Sequence, residues 1–545
     1  MSKKKILIAG AWPYANGYLH IGHLASLVPA DVIARYYRQK GDSVYFVSGS
    51  DCFGTPVAIR AKQENKSPRE ISDFYHAEFC DCFEKLGFTY DRYGKTSSDE
   101  HINFVRKFHK KMYESPYIYE KEAPQAFCEK CETALADRYV AGICPHCGGR
   151  AKGDQCDTCS NVLEPENLIN PQCEVCHSPI SFKKSKHLFI AISKLENELT
   201  GFVNSRPLWR KNTAAFSKRY IDEGLRDRAV TRDLDWGIDV PKEGYEDKKI
   251  YIWAENVLGY LSMSYALCTE RGESYEDLWG ENSRHYYVHG KDNIPFHTII
   301  LPSLMIANAG KWKLPDDIIS SEHLTLEGRK ISKSQNWAIW VKDLLAKHNP
   351  DSIRYFMITS GPEKRDTDFT WREFVNSHNG ELLGAYGNFV NRTLAFISKY
   401  FNKTVPEGVT NAEISERINS LYADTGSLIE KGDTKEALDN IFTFIRFANK
   451  YFDTQKPWET RNTDIKSCKN TIFNCVQIIV NLAVLLEPFI PFSSAKIRGW
   501  LGAENSWRKK EIPAGFVIPE PEILFERLDK GTAEEEVKRL RGSKV

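Results

Sequence analysis

Two apolar runs near the start, ILIAG at residues 6–10 and SVYFVSG at 43–49, flank a stretch with helical apolar spacing, LASLVPADVIARYYRQKG, that ends at Gly41. Runs this apolar suit strands covered on both faces, and two such strands joined through a helix pair in parallel with a right-handed crossover. This pattern commits the chain to an α/β fold built on a parallel sheet. A second helix is predicted over PREISDFYHAEFCDCFEKLG, and two further strands over KIYIWAEN (249–256) and HYYVHGKDNI (285–294). Between about 116 and 226 the alternation gives way to Cys, Gly, Pro and turn residues, as an insertion would. From about 370 onward nearly every segment has helical spacing, ALDNIFTFIRFANKYFD and IFNCVQIIVNLAVLL among them. The charged stretch TAEEEVKRLRGSKV closes the chain as a solvated helix or frayed tail.

A chain of 545 residues exceeds one core, and two to four domains are expected. The division read from the pattern is a sheet domain over 1–115 and 227–320, an insertion over 116–226, a linking segment over 321–369 and a helical bundle over 370–545. Basic residues exceed acidic ones by 74 − 73 = 1, so any nucleic-acid partner must be met by a local patch rather than a global field. No signal peptide is read at MSKKKILIAG, and the most apolar stretch, TIFNCVQIIVNLAVLLEPFI, is broken by Asn474, Gln477 and Asn481. A cytoplasmic protein without a membrane span or an obligate protein partner is expected.

Eight of the fourteen cysteines fall in four Cys-x-x-Cys pairs: Cys128/Cys131, Cys144/Cys147, Cys156/Cys159 and Cys173/Cys176. In a reducing compartment this spacing points to metal rather than disulfides, and four thiolates per ion make a closed, tetrahedral, structural zinc site. Two zinc ions are expected. Spacing alone allows the pairs to close either sequentially or nested.

The segment AWPYANGYLHIGHL (11–24) follows the first strand, and His20 and His23 are three apart, so on a helix they share its first turn. Free N–H groups and the positive dipole end of a helix favour phosphate there, and Gly22 leaves room for a ligand to approach the backbone. Taken alone, two histidines at a helix start are as readily structural as functional. EGRKISKSQN (327–336) adds Lys330 and Lys333 on a Gly-flanked cationic loop suited to β- and γ-phosphates.

HIGH near the start and KISKS some three hundred residues later, on an α/β scaffold with an insertion and a helical end, resemble class I aminoacyl-tRNA synthetases. The ordered set AWPYANGYLHIGHL, DCFGTPVAIRA, the cysteine pairs, GKDNIPFHTIILP, KISKS and QKPWE is similar, more narrowly, to the methionyl-tRNA synthetase family. The resemblance implies a Rossmann-like catalytic domain with a zinc-binding insertion, followed by an all-α anticodon-binding bundle. It also implies methionine, ATP and tRNA(Met), the initiator species included, as partners, with Mg²⁺ accompanying ATP. His20, Gly22, His23, Gly290, Asp292 and Lys333 then bind ATP; His20, His23, Lys330 and Lys333 stabilise the transition state. Ala11, Trp12, Tyr14, Asp51, Trp253, Asn256, Val257, Tyr260, Asn293 and His297 line the amino-acid pocket, with Asp51 on the α-ammonium. Here WAENVLGY replaces a more usual run with Asp, Ala and Pro after the tryptophan, and Asn293 stands where an aliphatic residue is common; both asparagines are expected to make the pocket more polar. Relatives with one zinc keep the middle two pairs, which implies nested closure: Cys144, Cys147, Cys156 and Cys159 on one ion, Cys128, Cys131, Cys173 and Cys176 on the other. Asn388, Arg392, Pro457 and Trp458 are the implied anticodon contacts.

Overall fold

Strand β1 (Lys5–Gly10) is the centre of a five-stranded parallel sheet with β2 (Ser43–Ser50), β3 (Arg92–Lys95), β4 (Ser283–Gly290) and β5 (Asp317–Ser321) in the order β5-β4-β1-β2-β3. The computed structural model describes residues 3–542 apart from 136, 154, 155, 157, 160, 162 and 334, and only the backbone of residue 138. Side chains alternate across the sheet. Ile6, Ile8, Phe46, Tyr286 and Val288 enter a core shared with the helical part of the chain, whereas Leu7, Ala9, Tyr45, Val47 and Tyr287 enter a second core. Strand order reverses between β1 and β4, and in such sheets ligands bind at the carboxyl edge beside this switch point.

Helix α1 (Ile21–Lys40) links β1 to β2 and ends, as its Gly41 suggests, on a left-handed C-cap at φ 87°. The expected strand over KIYIWAEN is corrected: only Lys249–Ile250 is extended, paired antiparallel with Thr231–Arg232, and 3₁₀ turns follow at Ile252–Ala254 and Asn256–Leu258. Ile250 donates to the Ile238 carbonyl and Tyr251 to that of Val230, so this segment is satisfied locally and never joins the sheet.

The insertion is carried on a long antiparallel ribbon, Ile118–Cys128 against Ser181–Ile190. At its far end a three-stranded sheet (Arg150–Lys152, Val140–Ile143, Ile169–Cys173) packs around its own small core, to which Cys128, Cys144, Cys156 and Cys173 belong.

The helical part comprises α2 (Asn388–Tyr400), α3 (Ala412–Glu430), α4 (Thr434–Gln455), α5 (Pro457–Thr463), α6 (Ile465–Leu485) and α7 (Pro491–Trp500). Helix α6 is apolar all round because it is the bundle's centre: 89% of its most apolar window is buried. The three polar residues that interrupt it hold neighbouring backbone. Asn474 accepts from Asn411 N at 2.8 Å, Gln477 from Ile512 N at 2.9 Å and Asn481 from Lys510 N at 2.8 Å. The charged C-terminal stretch is helical over Gly531–Gly542, with Leu540 buried and Glu536 paired to Lys347 at 2.6 Å, so it is docked rather than free.

Candidate active site and metal centres

His20 is the N-cap of α1 rather than part of its first turn, and His23 is its third residue. The His20 Nδ1 accepts from Gly22 N at 3.2 Å, and the His23 Nδ1 accepts from His20 N at 3.0 Å. This reciprocal cap brings the two rings to 3.9 Å between centroids, tilted by 35°, and serves two of the helix's free N–H groups. It also sets chemistry. Burial, then the nearby Lys333, lowers His20 to about 3, and burial, then His20, holds His23 well below its ordinary value. Both rings are neutral at neutral pH with Nδ1 as acceptor, so each carries its proton on Nε2 as a donor. A side chain at position 22 would meet the His20 ring at 3.0 Å and Ile331 at 3.6 Å. The space beside Gly22 is thus bounded by the His20 ring of the cap and by Ile331 of the lysine loop.

The lysine loop closes over this cap. Position 17 faces the Lys333 side chain, whose Nζ lies 3.9 Å from where a Cβ there would be. Lys333 is exposed in area yet walled by protein, and this desolvation lowers its ammonium to about 8. Lys330 is exposed on the short strand Arg329–Lys330, and Ser334 lies outside the described residues. Gly290 ends β4 against α1, where a Cβ would sit 3.5 Å from Ser26 Oγ. Asp292 follows it with a largely exposed carboxylate, 3.8 Å from the His323 imidazole.

Beside the cap, at the ends of β1 and β2, lies an aromatic pocket. Ala11 N donates to Val288 O at 2.9 Å, and Tyr14 and Asp51 bridge in parallel. Trp12 stands against Gly49 and Gly259, neither of which could carry a Cβ without entering its ring. Tyr260 meets Trp12 edge-on at 6.2 Å and bonds His297 Nε2 through its hydroxyl at 3.0 Å. His297 Nδ1 in turn bonds the Asn293 carbonyl at 2.8 Å, Trp253 packs edge-on to Phe296, and Val257 is buried. Asp51 is fully buried and accepts from Asn256 Nδ2 at 3.0 Å. Burial, then Glu255, pushes its carboxyl well above the usual range.

The eight cysteines form two groups of four, each with its sulfurs within 4.8 Å of one another: Cys128, Cys131, Cys173 and Cys176, and Cys144, Cys147, Cys156 and Cys159. This is the nested arrangement. Sulfur separations of 3.4 and 3.9 Å in the first group and 3.8 and 3.6 Å in the second bracket the roughly 3.8 Å edge of a tetrahedron with ~2.3 Å Zn–S bonds. Backbone N–H groups of Cys131, His146, Thr158 and Cys159 already point at sulfur, as they do around a bound thiolate.

Residues 6–394 match the family tRNA synthetases class I (M), and residues 403–545 match the anticodon binding domain of methionyl tRNA ligase. The chain belongs to the methionyl-tRNA synthetase family. Among its relatives, methionine–tRNA ligase 1 of Alkaliphilus oremlandii is 52% identical over 537 residues, covering 98% of this chain and 99% of the relative. Methionine–tRNA ligase of Bacillus mycoides is 50% identical over 543 residues, covering 99% of each. A solved structure of Mycobacterium tuberculosis methionyl-tRNA synthetase in complex with methionyl-adenylate superposes with a TM-score of 0.81 at 22% identity, covering 96% of this chain and all of that one, and shows the common fold.

In this methionyl-tRNA synthetase family member the implied anticodon residues lie on α2 and at the start of α5, and two of them, Arg392 and Trp458, meet one aromatic ring. Asn388 is exposed at the start of α2, with Arg392 one turn on. Arg392 is held by Asp453 at 2.7 Å and the Asn449 carbonyl at 2.9 Å, and its guanidinium lies 4.1 Å over the Phe452 ring. Pro457 opens α5, and Trp458 beside it is 45% exposed, 6.0 Å from the same Phe452 ring. Phe452 links the two, and sequence reasoning read it only as one apolar position of a helix. Glu255 and His101, which meet at 3.1 Å with the His101 ring 6.2 Å from Trp12, are part of the same buried pocket and were not singled out in the sequence; an acid inside WAENVLGY was the available signal.

Proposed function

We propose that this chain activates methionine with ATP and transfers it to the 3′ end of tRNA(Met). In the first step a carboxylate oxygen of methionine attacks the α-phosphorus of ATP, a P–O bond forms, and the bond to pyrophosphate breaks. In the second a terminal ribose hydroxyl of the tRNA attacks the acyl carbon and AMP leaves. Neither step needs covalent help from the protein, so catalysis lies in positioning and in charge placed where charge develops. His20 and His23 serve as neutral Nε2–H donors to the phosphates, and Lys333 offsets the charge of the departing pyrophosphate, with Lys330 beside it. Gly22, Gly290 and Asp292 complete the ATP site at the switch point. Ala11, Trp12, Tyr14, Trp253, Val257, Tyr260, Asn293 and His297 hold the thioether chain among aromatic walls, which suits a soft, unbranched side chain. Asp51, steadied by Asn256, receives the α-ammonium.

The two Cys₄ groups are read as structural zinc sites that fold the insertion, and Mg²⁺ enters with ATP as its counter-ion. Residues 370–545 read the anticodon through Asn388, Arg392 and Trp458, with Pro457 setting the tryptophan.

The observation that carries this reading is Lys333 lying over the His20/His23 cap, since two signatures three hundred residues apart meet at the carboxyl edge of the sheet. Methionine-dependent exchange of labelled pyrophosphate into ATP tests it. Exchange that requires methionine and is lost in His23→Ala supports the assignment, and exchange driven equally by another amino acid refutes it.

A further inference from the structure

Next to Asn256, whose amide bonds Asp51 at 3.0 Å, is a second buried carboxyl, Glu255, 1% exposed on the turn that precedes the helix of residues 259–271. Its Oε1 faces His101 Nε2 at 3.1 Å, and His101 Nδ1 faces Ser262 Oγ at 2.8 Å. The Thr96 hydroxyl lies beside the Glu255 carboxyl and favours its ionised form, without completing a hydrogen bond to Oε2. Trp12 Nε1 and Asn256 Oδ1, on the same pocket, are buried without partners too. Burial pushes Glu255 well above the usual carboxylate range, and Glu255 in turn raises Asp51.

The elements packed around this pair supply no free positive charge among the described residues. The helix of residues 99–112 offers His101, which burial lowers to about 3 and so keeps neutral. The helix of residues 259–271 offers Tyr260 and Ser262, and the segment after β1 offers Trp12. At the end of β3 Lys95 is committed to Asp73 at 2.5 Å. His297 is also neutral, lowered to about 4 by burial. Two carboxyls in a low-dielectric pocket without a counter-charge do not both ionise. The pocket is therefore one cation short.

Resting on the functional reading above, we propose that Asp51 and Glu255 share one proton that the α-ammonium of the amino acid displaces, which makes Glu255 a positioning residue for the substrate's amino group. The balance is closed. Before binding, the pair carries one proton and one negative charge, with His101 neutral. After binding, both carboxyls are ionised against one ammonium, the net charge is again minus one, and one proton has passed to solvent. An amino acid lacking its ammonium cannot release that proton, so the pair selects for the charged amino group and not merely for a polar one.

Calorimetric titration of methionine into the intact protein, in buffers of different ionisation enthalpy between about pH 5 and pH 9, reads the proton count. The wild type is expected to release up to about one proton per methionine on the acid side, with Kd weakening about tenfold per pH unit there. Glu255→Gln leaves Asp51 to ionise alone, so proton release falls towards zero at the same pH and the break in Kd moves down by about one pH unit or more. Glu255→Asp, which restores a carboxyl, brings proton release back; a residue acting only through packing would not distinguish Gln from Asp in this way. Binding without proton release, or equal release from wild type and Glu255→Gln, overturns this inference alone. Failure of the wild type to bind methionine overturns the functional reading together with it.

Discussion

Replacing Lys333 by alanine removes one ammonium from a walled position over the His20/His23 cap, and the size of the effect follows from that environment. The side chain is exposed in area yet close enough to protein for its pKa to fall to about 8, so its field is only partly screened. An ammonium about 4 Å from a phosphate charge at an effective dielectric of about 20 contributes roughly 4 kcal/mol. If that charge develops fully only as pyrophosphate departs, Lys333→Ala lowers the single-turnover rate of adenylate formation by about 10²- to 10³-fold. The Kd values for methionine and ATP change by less than about threefold, as expected when an interaction is made only in the transition state. The pH dependence has a definite sign: the side chain is charged below about 8, so the second-order rate of the wild-type free enzyme falls as pH rises through this value. Lys333→Ala lacks that limb, and Lys333→Arg, charged throughout, lacks it also. Rapid quench with labelled ATP measures the rate. A variant within about threefold of wild type, or one that keeps the alkaline limb, refutes the role given to Lys333.

In the insertion, Cys144→Ser with Cys156→Ser should lose about one equivalent of zinc, whereas Cys144→Ser with Cys128→Ser should lose two; metal analysis of the purified variants checks the grouping. Trp458→Ala should lower tRNA charging by about ten- to a hundredfold while leaving methionine activation intact, the loss of one stacked base being worth about 1–3 kcal/mol. Phe452→Ala should weaken charging as well, because Arg392 and Trp458 both lean on its ring; parallel activation and charging assays would expose a folding defect as a loss of both. His20→Asn should keep the helix cap, since an asparagine oxygen can accept from Gly22 N, and so keep the melting temperature, while activation falls; equal losses of stability in His20→Asn and His20→Ala would contradict the separation of cap from chemistry.

Local patterns were the legible part. The strand–helix–strand opening, the Gly41 cap, the bundle helices and the fourfold Cys-x-x-Cys rhythm each depend on residues close in sequence, and each is found where the pattern put it. KIYIWAEN was misread because an apolar run signals burial and not extended backbone; here burial is met by 3₁₀ turns that aim Trp253 at Phe296. His20 and His23 were placed correctly at the start of α1, but helical spacing could not foresee that one caps the other. Contacts made across long separations were not readable from single residues. His101 meets Glu255 across 154 positions and Arg392 meets Asp453 across 61, and nothing local to any of the four announces its partner.

The central claim is that this site makes methionyl-adenylate, and methionine-dependent exchange of pyrophosphate into ATP tests it most directly. The account predicts exchange with methionine far above that with leucine, isoleucine or valine, abolished in His23→Ala and reduced about 10²- to 10³-fold in Lys333→Ala. Exchange that is absent from the folded wild-type protein, or that proceeds unchanged in both variants, would contradict it.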